Sequence, residues 1–513
     1  MTSTNLIISS MKHLFASFML ALVAIACTET TTTPKDNVPV LVSTSPENGA
    51  ANITSASLSV VFTFDRYIRS SAASQKYITV DGGASVTNVA ASDKSLMVTV
   101  SGLDRGVTYT IIVPKGTVRS YANDETGAPE IKFTFTTKEK TATVVDPDKW
   151  EDAATCVRNM GVGWNLGNTL DSNSGDVDNM WIEDGNRTVT RYETAWGQPV
   201  ATQALIHMFK EAGFGAIRVP VTWYPHMGNV IVNNRHWDMS TWTGYDVDPA
   251  WMARVEEVVN YVLDEDMYCI LNVHHDTGSA TTAWLRADKT VFNNVRERYC
   301  SLWTQIATRF NGYGEKLVFE SFNEMLDMNG TWNYSNADAH EAINMYNAAF
   351  VETVRATGGN NASRNLILNT YAAAPTKQAL SAFKLPPDSA ENHLMAEVHS
   401  YAPYNFAFQT ANPKTVFDSS CENEVKSIVN DMNTYLVSKG IPCVLGEYGA
   451  DTRDRAETEL AKQAACYVSA ATKYNIACYY WMTLSDGADR SVPTWSKPVL
   501  KDAIIKAYND NKK

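Results

Sequence analysis

The chain has 513 residues, 44% of them hydrophobic and 19% charged, with a formal net charge of −13. That length exceeds one ordinary domain, and the composition is that of a folded globular protein. The negative balance argues against nucleic acid or an anionic membrane surface as partner, and is indifferent to a neutral polymer.

Lys12 and His13 precede an apolar stretch of signal-peptide length, too short to span a bilayer. It ends Ala24-Ile25-Ala26-Cys27, which resembles the bacterial lipobox. On that reading residues 1–27 are a lipoprotein signal, removed on export across the inner membrane, and Cys27 is acylated. The chain is then expected at the bacterial outer membrane, on its cell-surface or periplasmic side, touching the membrane only through the lipid. Residues 28–37 form a Thr-rich tether without core-forming side chains. The remaining cysteines show neither CxxC pairs nor a His/Cys cluster, so neither a disulfide framework nor structural zinc is expected.

Residues 38–138 read as an all-β sandwich. Leu58, Val60, Phe62 and Phe64 fall on one face of a strand, and the alternation recurs at Leu96-Val98-Val100, Tyr109-Ile111-Val113 and Ile131-Phe133-Phe135. Turn signals at Glu47-Asn48-Gly49 and Asp81-Gly82-Gly83 separate them. This segment resembles the bacterial Ig-like domains of secreted proteins. All 13 tryptophans lie at Trp150 or later, so the sandwich lacks the usual sugar-stacking residue and reads as a spacer, with Tyr67 and Tyr121 as its candidate binding rings.

From residue 145 to 513 the pattern becomes strand then helix, repeated. Apolar strands begin near Gly161, Ala216, Tyr268, Leu317, Asn365, Met395, Pro442 and Ile476. Helical spacing lies between them, as in Met252/Val255/Val259/Val262 and Ile343/Tyr346/Phe350/Val354. Eight such units predict a (β/α)8 TIM barrel of the α/β class. A doubly wound sheet is the competitor, but GVGWNLGNT does not match its dinucleotide fingerprint.

Polar residues end these strands. Counting by twos puts Arg218 and Thr222 on strand two, Asn272 and His274 on strand three, and Glu320, Phe322 and Glu324 on strand four. Asn369 and Tyr371 follow on strand five, Glu397, His399 and Tyr401 on strand six, Glu447 on strand seven and Trp481 on strand eight. Such residues are costly in apolar strands unless paired or used, and barrel active sites sit at the C-terminal strand ends. No GxSxG elbow or HExxH is present. Alternation places His274 and His275 on opposite strand faces, against joint metal binding. Two carboxylates with an arginine, amides and aromatics suit glycoside hydrolysis: one acid protonates the leaving oxygen, and one carboxylate attacks or activates water. Arg218 beside the attacking group would hold it ionised. Glu320, deeper than Glu324, reads as part of a buried network with Arg218. Trp196, Trp223 and Trp284 are candidate stacking platforms for sugar rings.

GWNLGNTLDS, ETAWGQP, EAGFGAIRVPVTW, ILNVHHD, LVFESFNE, AEVHSYAPY and VLGEYGA resemble, in order, glycoside hydrolase family 5, the retaining endoglucanases of clan A. The resemblance implies Glu324 as acid/base and Glu447 as nucleophile, the latter hydrogen-bonded by Arg218 and Tyr401. It implies substrate binding by Arg218, His274, His275, Asn323, His399, Tyr401 and Trp481, with no cofactor or metal. The expected substrate is a β-1,4-linked glucan of cellulose or mixed-linkage type, with xyloglucan or β-mannan as alternatives, and the expected state is a monomer. A surface polysaccharide-binding protein without catalysis is the reading from another class, and two intact glutamates argue against it. Met482-Thr483-Leu484 after Trp481, the insert before Glu193 and the SDGADRSVPTW loop depart from the family and bear on outer subsites.

Overall fold

The computed structural model describes residues 38–512, apart from 56, 123–126, 140–149, 174–187, 230, 234–235, 239–241, 333–335, 409 and 482–487. Cys27, the Thr-rich tether, much of the insert before Glu193 and Met482-Thr483-Leu484 therefore lie outside the described residues.

The N-terminal unit is two packed four-stranded sheets. Ser57–Phe64 sits between Leu41–Ser45 and Ser95–Ser101, with Ser85–Ser92 at the edge. Thr108–Val113 sits between Ile131–Thr137 and Thr79–Val80, with Ala50–Ile53 beyond. Alternation does the folding: Val60, Phe62, Phe64, Val98, Val100, Ile111, Phe133 and Phe135 turn into one shared core. Tyr67 and Tyr121 stay outside it, largely exposed.

The second unit is a closed parallel barrel of eight strands. They are β1 (Val162–Asn165), β2 (Ala216–Val219), β3 (Tyr268–Asn272), β4 (Leu317–Glu320), β5 (Leu366–Asn369), β6 (Leu394–His399), β7 (Cys443–Tyr448) and β8 (Ala477–Tyr480). Each is followed by a helix, from Gln203–Ala212 after β1 to Pro498–Asn511 after β8. Side-chain period two sorts the strands into two environments. Ile217, Leu271, Phe319, Leu368, Val398, Leu445 and Cys478 face the helices. Ala216, Ile270, Val318, Ile367, Met395, Val444, Ala477 and Tyr479 fill the lower interior, where Ala153, Cys156, Val157 and Met160 of helix Ala153–Met160 close it. One step further along six of the strands the interior turns polar: Asn165, Arg218, Asn272, Glu320, Asn369 and Glu397. The barrel is thus a dry plug with a polar layer above it.

Alternation stops where the strands stop. β4 ends at Glu320, so Glu324 stands in the segment beyond the rim and not two steps up a continuous strand. Thr222 likewise lies past β2, where it donates to the Asp171 carbonyl and not into the cleft.

The sandwich meets the barrel along the C-terminal halves of two helices. Arg105 donates to Asp264, the last residue of helix Pro249–Asp264, and to the Thr54 carbonyl. Lys138 reaches Asp264 at 2.9 Å, Ser55 donates to Glu257, and Arg309 reaches Asp104. These helices lead into β3 and β4, so the contact lies at the N-terminal strand ends, opposite the polar layer. Arg105 and Asp264 side chains are only 6% and 4% exposed. Asp264→Ala strands a buried guanidinium and is expected to cost on the order of 3 kcal/mol, read as earlier unfolding by calorimetry. Lys506→Ala, in an exposed pair, should leave that transition in place.

Candidate active site

Arg218 organises the polar layer. Its side chain is fully buried, and it donates from Nε and Nη2 to both oxygens of Glu320 at 2.7 and 2.8 Å. Nη1 donates to Glu447 Oε1 at 2.8 Å and Asn165 Oδ1 at 3.0 Å, and Nη2 to Asn323 Oδ1 at 3.0 Å. Burial works against this cation, but the charges of Glu320, Glu397 and Glu447 hold its pKa well above the ordinary value. Burial in turn pushes the Glu320 carboxyl up, against the pull of Arg218. Glu320 is therefore the structural partner that the sequence indicated.

Glu447, next to the last residue of β7, has both oxygens engaged. Arg218 holds Oε1, and the Tyr401 hydroxyl donates to Oε2 at 2.7 Å. Burial, then the charge of Glu447, lifts the Tyr401 hydroxyl well above its usual range, so it remains a donor. The chain reaches this point through irregular pairing: the register of β6 and β7 shifts between Val398 and His399. Two glycines of the GEYG motif answer to packing. A Cβ on Gly446 would collide with Glu397 Oε1, and one on Gly449 with the Trp481 carbonyl oxygen.

His399 joins the two halves of the site. Nδ1 lies 2.9 Å from Glu324 Oε1 and 3.6 Å from Glu447 Oε2, and Nε2 lies 2.9 Å from Glu397 Oε1. Burial opposes its charge, but Glu447 and the hydrogen bonds with Glu324 and Glu397 outweigh it, raising the pKa to about 10. A carboxylate oxygen of Glu324, one of Glu447 and a ring nitrogen of His399 all lie within 4.8 Å of one another. Glu324 keeps 20% of its side-chain exposure and Glu447 only 6%.

On the neighbouring wall, Asn272 accepts the Val221 N–H on Oδ1 and donates from Nδ2 to Glu320, which fixes the direction of its amide. The same Nδ2 is 3.0 Å from His274 Nδ1, so Nδ1 is the acceptor and the His274 proton sits on Nε2. Burial, with the charges of His275 and Arg218, holds His274 well below its usual pKa. Burial likewise lowers His275 to about 4. Alternation fails for this pair too. β3 ends at Asn272, the chain turns, and the two rings stand 4.5 Å apart with donor atoms within 4.8 Å of each other and of Asp171. Asp171 accepts N–H groups from Asn168 and Thr169, and burial raises its carboxyl to about 6.

Trp481 stacks on His274 at 5.6 Å with 6° between the planes, and Gly167 leaves room for its ring, since a Cβ there would lie 2.5 Å from Cη2. Arg218, Asn323, Glu324, His399, Tyr401 and Glu447 are thus linked by direct contacts, while His274, stacked with Trp481 and beside His275, joins them through Asn272 and Glu320. Trp223 and Trp284 are not platforms: both are buried and donate their indole N–H, to the Asn272 carbonyl and to Asp276. Trp196 is half-buried against His275. Spacing gave no role to Asn165, which shares its β1 face with Gly163, or to Trp332, 46% exposed on the segment after Glu324.

The relatives fit this geometry. Residues 35–137 match the bacterial Ig-like domain, and residues 181–487 match cellulase (glycosyl hydrolase family 5). Endoglucanase A of Clostridium longisporum is 35% identical over 70% of this chain and 66% of its own, and endoglucanase B of Ruminococcus albus is 36% identical over 71% and 83%. Among solved structures, a family 5 enzyme of Prevotella bryantii in complex with a xyloglucan tetradecasaccharide is 41% identical, with TM-score 0.62 over 70% of this chain and 99% of its own. A broad-specificity endoglucanase of Ruminococcus champanellensis with bound cellotriose is 38% identical, with TM-score 0.62 over 70% and 99%. With the barrel, the matched sequence and the paired glutamates in agreement, the chain belongs to glycosyl hydrolase family 5.

Proposed function

We propose that this endo-β-1,4-glucanase works by double displacement, with Glu447 as nucleophile and Glu324 as acid/base. The observation that carries the reading is the closeness of the two carboxylates, with oxygens inside 4.8 Å. Retaining enzymes hold their carboxyl groups about 5–5.5 Å apart, whereas an inverting pair needs roughly 6.5–9.5 Å to admit a water. The two environments divide the roles. Glu447 receives a charged donor on one oxygen and a neutral donor on the other, which fixes the direction of its attack. Glu324 is more open and faces His399, an exchangeable proton donor.

In the first step a Glu447 oxygen bonds to the anomeric carbon as the bond from that carbon to the leaving oxygen breaks. Glu324 gives its proton to that oxygen. In the second step water attacks the same carbon, Glu324 takes the water proton, and the ester to Glu447 breaks. Two inversions leave the configuration retained. Asn323 and the Nε2–H of His274 border this site and suit sugar hydroxyls, and the Trp481 ring suits a sugar face.

The preferred polymer is a glucan backbone, plain, mixed-linkage or xylosylated. The xyloglucan and cellotriose held by the two solved relatives support that range over mannan. Export as a Cys27 lipoprotein completes the reading, with the sandwich as a spacer between anchor and barrel and the membrane touched only through the lipid.

Glu447→Ala should lower turnover on β-glucan by roughly 10⁴-fold or more, and a 2-fluoro cellobioside should label Glu447 in the parent, read by peptide mass spectrometry. Label on another residue would refute the assignment. Initial rates on carboxymethyl-cellulose, barley glucan, xyloglucan and glucomannan should be highest on one of the first three; a glucomannan maximum would move the substrate to mannan. Cys27→Ser should release the mature protein from the membrane fraction without altering its rate.

A further inference from the structure

Both ring nitrogens of His399 face carboxylate oxygens at 2.9 Å, one on Glu324 and one on Glu397. A carboxylate only accepts, and a neutral imidazole has one N–H and one lone pair. The chain Glu397–His399–Glu324 therefore carries one proton more than a neutral imidazole between two carboxylates. That extra proton is what general-acid catalysis needs. We propose that Glu397 is a positioning residue that, acting through His399, keeps this proton available to Glu324. The proposal rests on the reading of Glu324 as acid/base.

The site around Glu397 is built for this. Its side chain is fully buried, and Oε2 receives no hydrogen bond from the described residues. Oε1 packs where Gly446 has no Cβ, so the residue before Glu447 is kept small by Glu397 itself. Arg218 Nε stands 3.5 Å from Oε1 but spends its shorter contact, 2.7 Å, on Glu320. His399 Nε2 is thus the hydrogen-bond donor to Glu397. With a proton fixed on Nε2, Nδ1 is the atom that gives and takes.

The proton count closes over a full cycle. At rest the extra proton is the Nδ1–H of the His399 imidazolium, facing the Glu324 carboxylate. Substrate covering Glu324 disfavours the ion pair, and the proton moves to Glu324, leaving His399 neutral with Nε2–H on Glu397. Glu324 gives that proton to the leaving oxygen. In the second step the water proton goes to Glu324 and returns to Nδ1. No other donor or acceptor is required.

Other charged and titratable groups face this chain. Arg218 of β2, Glu320 of β4 and Tyr479 of β8 face Glu397, and Cys443 of β7 feels its charge from the helix-facing side of the sheet. His274 beyond β3, Arg218, and Glu447 with Tyr401 face His399 and Glu324. Arg218 and Glu320 neutralise each other in a bidentate pair. Burial keeps Cys443 and Tyr479 protonated, and burial and its neighbours keep His274 neutral. Glu397 is the anion hydrogen-bonded to Nε2.

The test is the pH dependence of kcat/KM for Glu397→Gln, which keeps shape and removes charge. Without the anion the pair binds its extra proton less tightly, so the alkaline limb should move to lower pH by about one unit or more. The acid limb should stay, and Glu397→Asp should return the alkaline limb most of the way. A Glu397→Gln profile that superimposes on the parent after scaling overturns the proposal. If the variant does not fold, ¹⁵N-histidine spectra of the parent decide, with the His399→Asn spectrum assigning the signals. Both His399 nitrogens should be protonated at pH 8, and a neutral ring there overturns the proposal. Azide rescue of Glu324→Ala on an aryl cellobioside tests the underlying role separately. With rescue, an unmoved Glu397→Gln limb refutes the relay alone; without rescue, both readings fall.

Discussion

One buried cation sets the terms of this site. Arg218 is fully excluded from water, and an uncompensated charge there would be untenable. Its hydrogen bonds reach β1, β4, the segment after β4, and β7, so neutralising it also fixes Asn165, Glu320, Asn323 and Glu447 relative to one another. Glu320 takes the bidentate share and Glu447 a single bond, which leaves the second oxygen of Glu447 turned to Tyr401. Catalytic geometry here is a by-product of satisfying one guanidinium.

The barrel makes that arrangement rigid. Below the polar layer the interior is packed with aliphatic and aromatic side chains and closed by the helix at Ala153–Met160. Water is kept from the underside of Arg218, Glu320 and Glu397, so attractions among them are strong and so is the penalty for a missing partner. The close glycine contacts at Gly167, Gly446 and Gly449 belong to the same economy of space: each lies where a site residue already fills the volume of a Cβ.

The sandwich is attached at the other end of this axis. Arg105 and Lys138 converge on Asp264 at the N-terminal strand ends, leaving the cleft at the opposite mouth. Its core is complete without the barrel, and the contact rests on ion pairs and hydrogen bonds, as expected between units that each bury their own apolar faces.

Residue pattern alone settled the classes of the two domains, because period two and period 3.6 are local properties of the chain. It also settled which strand ends are polar, since hydrophobic runs ending in Arg218, Glu324, His399 and Glu447 are visible without coordinates. It could not settle what happens past a strand end. Glu324, Thr222 and the His274–His275 pair all lie where the chain leaves the sheet, so their directions follow from loops that alternation does not govern. Burial of Trp223 and Trp284 was hidden for the same reason: an indole reads alike in sequence whether it covers a cleft or donates into the core. Only the closed barrel shows that both nitrogens of His399 meet carboxylates, because Glu324 lies past the end of β4 and Glu397 on β6, and their approach is a fact of three dimensions.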